Sequence, residues 1–536
     1  MDRIVVVGSG PSGVHFALSV LRKGYDVTMV DVGFPKPAVV APDATFRGLK
    51  ENLDDPVRYF LGEKFEGVVL PQPGREYYGI PPSKSYVFRT PAGFDNVTRG
   101  FAPLFGFAQG GIAEVWTGGC YPFNADELSD FPFSYAELAP CYGEVARRIG
   151  VCGAADDLAR HFPVHDNLLE PLELDRHSAL LLARYEQKRA VIQGQWKCSV
   201  GRTRVAVLSR DLGSRKKCTY LGRCLWGCPT GAFYTPSLTL AECREFPNFH
   251  YVTGVRASHV RMDANRRVSH VVVAPADGGN PEEIPAERVA LAAGALSSSQ
   301  IYLESMYRNT GEVLKLDGLM DNRQILVPFV NLSLIGQPYH PESYQYHQVG
   351  MGIEQGTPKE YVHAQVTTLK TAMLHPIIQN LPCDARLASF VVRHFHAALG
   401  IVNINLHDKR RAGNSVTLDV KTAPGRPRLV IEYSPAPGEA EVIRRAVKTV
   451  RKTLGALGCI VPPGMTHVRP MGASVHYAGM LPMSRTEGEH TVSETCESHT
   501  VKNLYLVDGA TFPFLPAKNI TFTLMANAVR VADAAF

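Results

Sequence analysis

A glycine motif, Gly8-x-Gly10-x-x-Gly13, constrains the fold of this chain more than any other feature of the sequence. It follows the short β-branched run 3–7, which has no polar alternation and is typical of a strand buried on both faces of a parallel sheet. An apolar helical segment, 14–21, follows the motif. Glycines at this spacing allow a tight turn, close approach of the backbone to a pyrophosphate, and close packing of helix on strand. The motif therefore predicts a dinucleotide phosphate site at a helix N-terminus, with a purely structural turn as the alternative.

A second strand strengthens this interpretation. Residues 27–30 are again apolar, and they end at Asp31, at the distance from the glycines where an acidic side chain accepts a hydrogen bond from a ribose hydroxyl. Strand, glycine turn, helix and second strand together predict a βαβ unit.

Composition excludes several classes of protein. With 536 residues, 45% of them hydrophobic and 20% charged, the chain has the make-up of a globular protein, not of a disordered, fibrous or small disulfide-rich one. Lys and Arg number 56 against 51 Asp and Glu, without long runs of like charge, so no nucleic-acid partner is expected.

No window approaches the roughly 20 apolar residues of a membrane span. An N-terminus without a signal pattern and an odd number of cysteines, 11, lead us to expect a cytoplasmic protein.

Other segments indicate the domain organisation. The sequence predicts a helix over 135–149, a second βαβ-like alternation over 248–304, and a basic helix over about 438–457. We expect a first domain over 1–330, with irregular excursions at 34–108 and 160–235. A mainly substrate-binding domain is expected over 331–465, and 466–536 are expected to return to the first domain.

The C-terminal region contains candidate catalytic residues. A strand over 503–508 runs into a turn, and an apolar helix begins soon afterwards, which places Asn519 and Thr521 at its N-terminus. His476 stands about forty residues earlier. The simplest interpretations of these side chains are a structural histidine and a helix cap.

Taken in order and spacing, these motifs resemble the glucose-methanol-choline (GMC) flavoprotein oxidoreductases over most of the chain. The matching segments, besides the glycine motif, are Gly110-Gly111 with Trp116-Thr117, then 131–138, 292–298, and 508–519. The resemblance implies an α/β fold: a discontinuous Rossmann-like FAD-binding domain with an inserted α+β substrate domain built on an antiparallel sheet. Residues 331–460 match only loosely, as expected of a domain that varies with the substrate.

The resemblance also implies which residues contact FAD. These are Gly8, Ser9, Gly10, Pro11, Ser12, Gly13, Asp31, Gly110, Gly111, Trp116, Thr117, Ala257, Ala293, Gly294, Asp508, Gly509, Asn519 and Thr521. Some sugar-oxidising members of the family attach FAD covalently through a histidine, and the position that aligns with it here is Val115. We therefore expect FAD to be bound non-covalently.

The catalytic pair of the family falls on His476 and Asn519. In alcohol oxidation, a neutral imidazole takes the hydroxyl proton while hydride moves to flavin N5, and a carboxamide can hold the same oxygen. The family's sugar-oxidising branch suggests a sugar or glycoside substrate. The alternatives are a non-sugar alcohol, a lyase that retains FAD without redox chemistry, and a non-catalytic flavin-binding subunit. Oxygen, a quinone or a redox protein could accept the electrons.

Three cysteines form a further motif, Cys218-x5-Cys224-x3-Cys228, followed by Pro229. Clustered thiolates of this kind ligate iron, and the segment is similar to one that carries a [3Fe-4S] cluster in membrane-linked sugar dehydrogenases of the family. Such a cluster would imply a small or cytochrome subunit as partner. The alternatives are a zinc site and cysteines that are inert or locally paired.

Overall fold

The computed structural model describes residues 3–67, 76, 78–370, 374, 378, 381–422 and 425–536. The α-helices within these residues are Pro11–Arg22 (α1), Phe46–Asn52 (α2), Pro56–Leu61 (α3), Tyr135–Ile149 (α4), Arg176–Trp196 (α5), Pro236–Cys243 (α6), Ala295–Thr310 (α7), Ala385–Phe395 (α8), Glu439–Ala456 (α9) and Thr521–Ala535 (α10). Short 3-10 helices span Pro82–Phe88, Gly111–Val115, Asp157–Arg160, Leu332–Leu334, Pro358–Glu360, His396–Ala398 and Gly509–Thr511. Among the described helices, none has both the length and the apolar character needed to cross a bilayer.

A five-stranded parallel sheet forms the centre of the first domain. Its strands, in spatial order, are Leu504–Leu506 (β22), Arg288–Leu291 (β11), Arg3–Val7 (β1), Asp26–Val30 (β2) and Phe249–Val252 (β7). The order brings β22, from the C-terminal region of the chain, into the same sheet as the N-terminal strand β1. The predicted Rossmann-like, discontinuous first domain is therefore confirmed.

Glycine is required where α1 packs on β1. A Cβ atom on Gly13 would lie 2.0 Å from the carbonyl oxygen of Gly8, and Gly8 itself has φ of +101°. Helix α1 then buries Val14, Phe16 and other apolar side chains against the sheet and against α10. The first and last helices of the chain therefore share one hydrophobic core.

A seven-stranded antiparallel sheet forms the second domain. Along its main path lie Cys459–Ile460 (β20), Gln324–Asn331 (β13), Leu399–Asn405 (β16), Val362–Thr368 (β15), Val349–Ile353 (β14) and Cys198–Arg202 (β6), while His467–Val468 (β21) also pairs with β13. Helices α5 and α9 cover one face and bury a second core with it. The sheet thus takes in β6 and β13, which begin before residue 331, the start that we expected for this domain.

The predicted βαβ-like alternation over 248–304 is only partly realised. Val255–Met262 (β8), Val268–Pro275 (β9) and Glu282–Pro285 (β10) form a separate antiparallel sheet. Five residues join β8 to β9, and a parallel pair would need a crossover of a dozen or more. Only β7 and β11 from this region join the parallel sheet.

The remaining strands form smaller sheets. Lys315–Asp317 (β12), Ser415–Asp419 (β18), Arg428–Glu432 (β19) and Asn96–Arg99 (β3) form a mixed four-stranded sheet. Two-stranded pairs join Asp408–Lys409 (β17) to Phe514–Leu515 (β23), and Val151–Cys152 (β4) to Leu168–Leu169 (β5).

Candidate active site

A cavity of about 580 Å³ opens at the carboxyl ends of β1, β2 and β11 and extends beneath the antiparallel sheet. Ligands of open α/β sheets bind at this edge. Of the residues predicted to contact the cofactor, the following line the cavity: Gly8, Ser9, Gly10, Pro11, Ser12, Asp31, Gly111, Trp116, Thr117, Ala257, Ala293, Gly294, Asp508, Gly509, Asn519 and Thr521. Gly13 and Gly110 lie behind this surface, where Gly13 packs on Gly8 and the Gly110 amide donates to Ser9 Oγ at 2.9 Å.

The phosphate end of the cavity is formed by the start of α1. No side chain caps this helix, whose N-cap residue is Gly10, so its first amides are available to an anion. A Cβ on Gly10 would meet nothing closer than the Ala292 carbonyl oxygen at 3.9 Å, and the space beside it is open to the cavity. These features fit the pyrophosphate of a dinucleotide.

Asp31 lies at the end of β2, beside this turn. Its carboxylate accepts hydrogen bonds from Ser9 Oγ and from Tyr251 Oη, the latter at 2.9 Å. Burial raises the pKa of Asp31 to about 6, against these hydrogen bonds, which lower it. A carboxylate at this position fits a ribose diol.

Asp508 stabilises the opposite wall of the cavity. Its Oδ2 accepts from the Gly294 amide at 3.0 Å and from Ser298 Oγ at 2.5 Å. Burial raises the pKa of Asp508 to about 6. Asp508 therefore links the turn after β22 to the start of α7 through hydrogen bonds.

His476 lies at the other end of the cavity, and its ring is held on one side by Asn322. The two atoms His476 Nδ1 and Asn322 Oδ1 are 2.9 Å apart. The Asn322 carboxamide donates its own hydrogens to the carbonyl oxygens of Leu406 and Pro516, at 2.8 and 2.9 Å. Burial lowers the pKa of His476 to about 4, with a smaller contribution from the charge of Arg469. The histidine is therefore neutral at physiological pH.

Asn519 faces His476 from the start of α10. Its Nδ2 lies 3.5 Å from His476 Nε2, and its Oδ1 accepts from Gln365 Nε2 at 2.6 Å. The structure thus brings together the two residues predicted as the catalytic pair. Their polar atoms converge at one point on the cavity wall, where one substrate oxygen can contact both.

The backbone before His476 is strained. Val475 has φ of +64°, a left-handed conformation that is rare for a β-branched residue. Asp321 holds this segment by accepting from Ser474 Oγ and from the Gly472 amide, the latter at 2.6 Å. Burial raises the pKa of Asp321 to about 7. Strain of this kind persists only where the surroundings fix it, as they do at functional sites.

A buried ion pair anchors the segment before Asn519. Lys518 Nζ donates to Glu127 Oε2 at 2.5 Å and to the carbonyl oxygens of Pro122 and His161, each at 2.8 Å. Both side chains of the pair are fully buried. Burial lowers the pKa of Lys518 to about 8, and three oxygen acceptors keep it as the ammonium ion.

The three cysteines pack as ordinary thiols against a small core that includes Val207, Phe233 and Tyr344. Cys228 Sγ accepts from the Phe233 amide at 3.5 Å. Within the described parts of the chain, no group of three or more His, Cys, Asp or Glu side chains is arranged to hold a metal ion. The geometry of Cys218, Cys224 and Cys228 therefore gives no support to the [3Fe-4S] prediction.

The side chains that orient the catalytic pair were not predicted from the sequence. Asn322 lies just before β13 and Gln365 lies on β15, while Asn403, opposite Gln365 on β16, bonds neither member of the pair. Carboxamides that alternate with buried apolar residues along a strand were the available signal, because a buried polar group needs a partner or a ligand.

Comparisons with known proteins agree with this architecture. Residues 410–528 match the family model described as GMC oxidoreductase. The chain is 25% identical over 546 residues to paromamine 6'-oxidase of Streptomyces fradiae, and the match covers 99% of this chain and 90% of that protein. It is 24% identical over 571 residues to 6'''-hydroxyparomomycin C oxidase of Streptomyces lividus, with 99% and 90% covered. Among solved structures, pyridoxine 4-oxidase from Mesorbium loti superposes with a TM-score of 0.61 at 15% identity, covering 100% of this chain and 99% of that one.

The predicted resemblance to the GMC oxidoreductases is thereby confirmed, together with the predicted fold and the class of enzyme, an oxidoreductase acting on CH–OH groups. FAD is the cofactor that this fold supports, and the glycine turn, Asp31 and the uncapped start of α1 fit it.

Proposed function

We propose that this enzyme oxidises an alcohol group of a sugar or sugar-like substrate to a carbonyl, with non-covalently bound FAD and with His476 as the base. The convergence of His476 and Asn519 on one point of the cavity wall supports the proposal. When bound, FAD supplies the acceptor for hydride from the carbinol carbon.

His476 is suited to take the hydroxyl proton because its two ring nitrogens have different roles. The Oδ1 atom of Asn322 accepts a hydrogen bond from Nδ1, so Nδ1 carries the hydrogen. Nε2 therefore presents a lone pair toward Asn519 and the cavity. The Asn519 amide can donate to the same substrate oxygen. A positioned base of this kind contributes typically about 10²–10⁴-fold to the rate.

The names of the two Streptomyces relatives support a sugar-like substrate, since they are oxidases of paromamine and of 6'''-hydroxyparomomycin C. They also support molecular oxygen as the electron acceptor. Peroxide release, compared with reduction of a quinone analogue or an artificial dye, distinguishes oxygen from the other acceptors.

Anaerobic reduction of the bound flavin tests the proposed reaction. A panel of methyl glycosides, cyclic polyols and aliphatic alcohols is mixed with the wild-type enzyme, and bleaching of the flavin band is recorded. We expect at least one sugar-like alcohol to bleach the band, and His476→Asn to slow this about 100-fold or more while the FAD content is unchanged. Turnover with the flavin still oxidised would indicate a lyase, and absence of bleaching by any alcohol would contradict the proposal.

Non-covalent attachment has a separate support and a separate test. Val115 ends the 3-10 helix Gly111–Val115 and lines the cavity with an aliphatic side chain, which has no atom able to bond to the flavin. Acid precipitation should leave the yellow colour in the supernatant. Colour that remained in the protein pellet would overturn this part of the proposal.

A further inference from the structure

Three side chains from adjacent strands of the antiparallel sheet face the cavity in register. Asn403 on β16 lies directly opposite Gln365 on β15 and directly opposite Leu326 on β13. All three line the cavity that contains His476 and Asn519. Directly opposed residues of antiparallel strands have Cβ atoms about 4.5–5.5 Å apart. Asn403 therefore lies one side chain away from the residue that holds Asn519.

Gln365 and Asn403 differ in their hydrogen bonding. Gln365 uses both amide hydrogens, donating to Asn519 Oδ1 and to Tyr121 Oη at 2.6 and 3.2 Å. The side chain of Asn403 forms no hydrogen bond with any described residue, and its Oδ1 is buried. A buried amide oxygen without a partner is costly in a free protein and is well suited to receive a hydrogen bond from a polar group of a ligand.

His347 is a second unpaired group in the same cavity. The residue is 2% exposed and lines the cavity, and its Nε2 is buried with no hydrogen-bond partner among the described residues. Burial lowers the pKa of His347 to about 3, so the ring is neutral and can both donate and accept.

Charge limits what this part of the cavity can bind. The described carboxylates that line it are Asp31, Glu304 and Asp508. The first and last belong to the cofactor end, and Glu304 is paired with Arg308 at 3.2 Å. Near His476 the charged lining residue is Arg469, a cation whose Nε donates to Glu76 at 2.8 Å. The charge of Arg469 is thus balanced by Glu76, and a substrate ammonium group would find no unpaired carboxylate among the described residues that line the cavity near His476.

We infer that the substrate is an uncharged diol or polyol, and that Asn403 and His347 bind a second hydroxyl close to the carbon that is oxidised. This inference rests on the proposed function and adds to it the substrate class and two specificity-determining residues. Neither residue takes part in proton or hydride transfer. Their loss should weaken binding of the second hydroxyl and leave the reaction at the first one unchanged.

Three six-membered-ring probes that differ in one group test this inference: cyclohexanol, 1,2-cyclohexanediol and 2-aminocyclohexanol. Their affinities for the FAD-loaded enzyme at pH 7 are measured as KM where they are oxidised, and otherwise as Ki against the best substrate of the alcohol panel. We expect the wild-type enzyme to bind the diol about fivefold to tenfold more tightly than cyclohexanol, the effect of one net hydrogen bond. The aminoalcohol should bind no better than cyclohexanol.

Two variants and a control make the test specific. Asn403→Leu, which keeps the branched shape of the side chain, and His347→Phe should each reduce the preference for the diol while the KM or Ki of cyclohexanol stays within about twofold. Leu326→Met, at the apolar position opposite Asn403, should keep the preference. Flavin absorbance and the unfolding temperature show that each variant is folded and loaded.

The outcomes separate this inference from the function on which it rests. If no alcohol of the panel bleaches the flavin, the proposed function fails, and the inference fails with it. If alcohols are oxidised but the wild type shows no preference for the diol, or Asn403→Leu weakens diol and cyclohexanol equally, only the inference is overturned. Tighter binding of the aminoalcohol than of the diol would also overturn it.

Discussion

Nδ1 of His476 lies 2.9 Å from Oδ1 of Asn322, and this contact fixes the tautomer of the histidine. Asn322 donates both hydrogens of its carboxamide to the backbone carbonyls of Leu406 and Pro516, so only its oxygen is available to the ring. Because the Oδ1 atom of Asn322 can only accept a hydrogen bond, the hydrogen of the histidine must be on Nδ1. The lone pair is therefore at Nε2, the nitrogen that faces Asn519 and the cavity.

Replacing Asn322 tests this arrangement. Asn322→Leu keeps the branched shape of the side chain but removes the acceptor, so part of the histidine population has its hydrogen at Nε2 and cannot act as a base. We expect kcat for the best alcohol of the panel to fall about 10–100-fold, the usual effect of losing an orienting partner, with the FAD content unchanged. Asn405→Leu is the matched control, because Asn405 is an equally buried carboxamide that bonds Gln324 and does not contact His476. Equal losses of kcat in both variants would refute the role of Asn322.

The pH dependence of the reaction reports the protonation of His476. Burial and the charge of Arg469 lower the pKa of His476 to about 4, so kcat/KM should rise with an apparent pKa near 4 and stay flat toward neutral pH. Arg469→Met removes a positive charge that disfavours the imidazolium. The acid limb should therefore move to higher pH, and a limb that stayed in place or moved to lower pH would contradict this account.

The sequence was sufficient for the N-terminal half of the site because local rules decide it. The motif Gly8-x-Gly10-x-x-Gly13 requires a tight turn between strand and helix, and the predicted strands over 3–7 and 27–30 correspond to β1 and β2. The helix predicted over 135–149 is also found with those bounds, because Ser134 and Glu137 form a capping box.

Long-range pairing explains what the sequence could not predict. Strand β6, at Cys198–Arg202, joins the antiparallel sheet through β14, about 150 residues later. The hydrogen bond from Gln365 to Asn519 likewise joins residues 154 positions apart. Hydrophobic periodicity indicates that a segment is a strand and which face it buries, but it does not specify the partner strand. The orienting residues of the catalytic pair were missed for this reason.

The contact between Gln365 and Asn519 leads to a further prediction. Because Gln365 donates to Asn519 Oδ1, the amide end of Asn519 points toward His476. Gln365→Leu should allow the Asn519 carboxamide to rotate, and we expect kcat to fall about tenfold with little change in the pH profile, since His476 keeps Asn322. Gln365→Glu places an acceptor against Asn519 Oδ1 and favours the rotated form. It should therefore be at least as damaging as the leucine variant, and activity retained in Gln365→Glu would contradict the prediction.

Two glycines of the first turn should differ sharply when replaced by alanine. A Cβ on Gly13 would lie 2.0 Å from the Gly8 carbonyl oxygen, so Gly13→Ala should prevent close packing of α1 and reduce the yield of folded protein. A Cβ on Gly10 meets open space, and the φ of this residue, −64°, is normal for alanine. Gly10→Ala should therefore fold but bind FAD more weakly, because its methyl group points to the phosphate end of the cavity. FAD titration of the folded apoprotein and circular dichroism separate the two effects.

The buried pair of Lys518 and Glu127 should matter more for stability than any surface ion pair. Lys518→Met leaves the Glu127 carboxylate buried without its counterion, and breaking such a pair costs about 3–5 kcal/mol of the free energy of unfolding. Adding Glu127→Leu removes the orphaned charge, so the double variant should be more stable than Lys518→Met alone. The exposed pair of Arg47 and Glu51 is the control, and Arg47→Met should leave the free energy of unfolding unchanged. Urea unfolding of the four proteins measures the effect, and a double variant no more stable than Lys518→Met would show that the unpaired charge is not its cause.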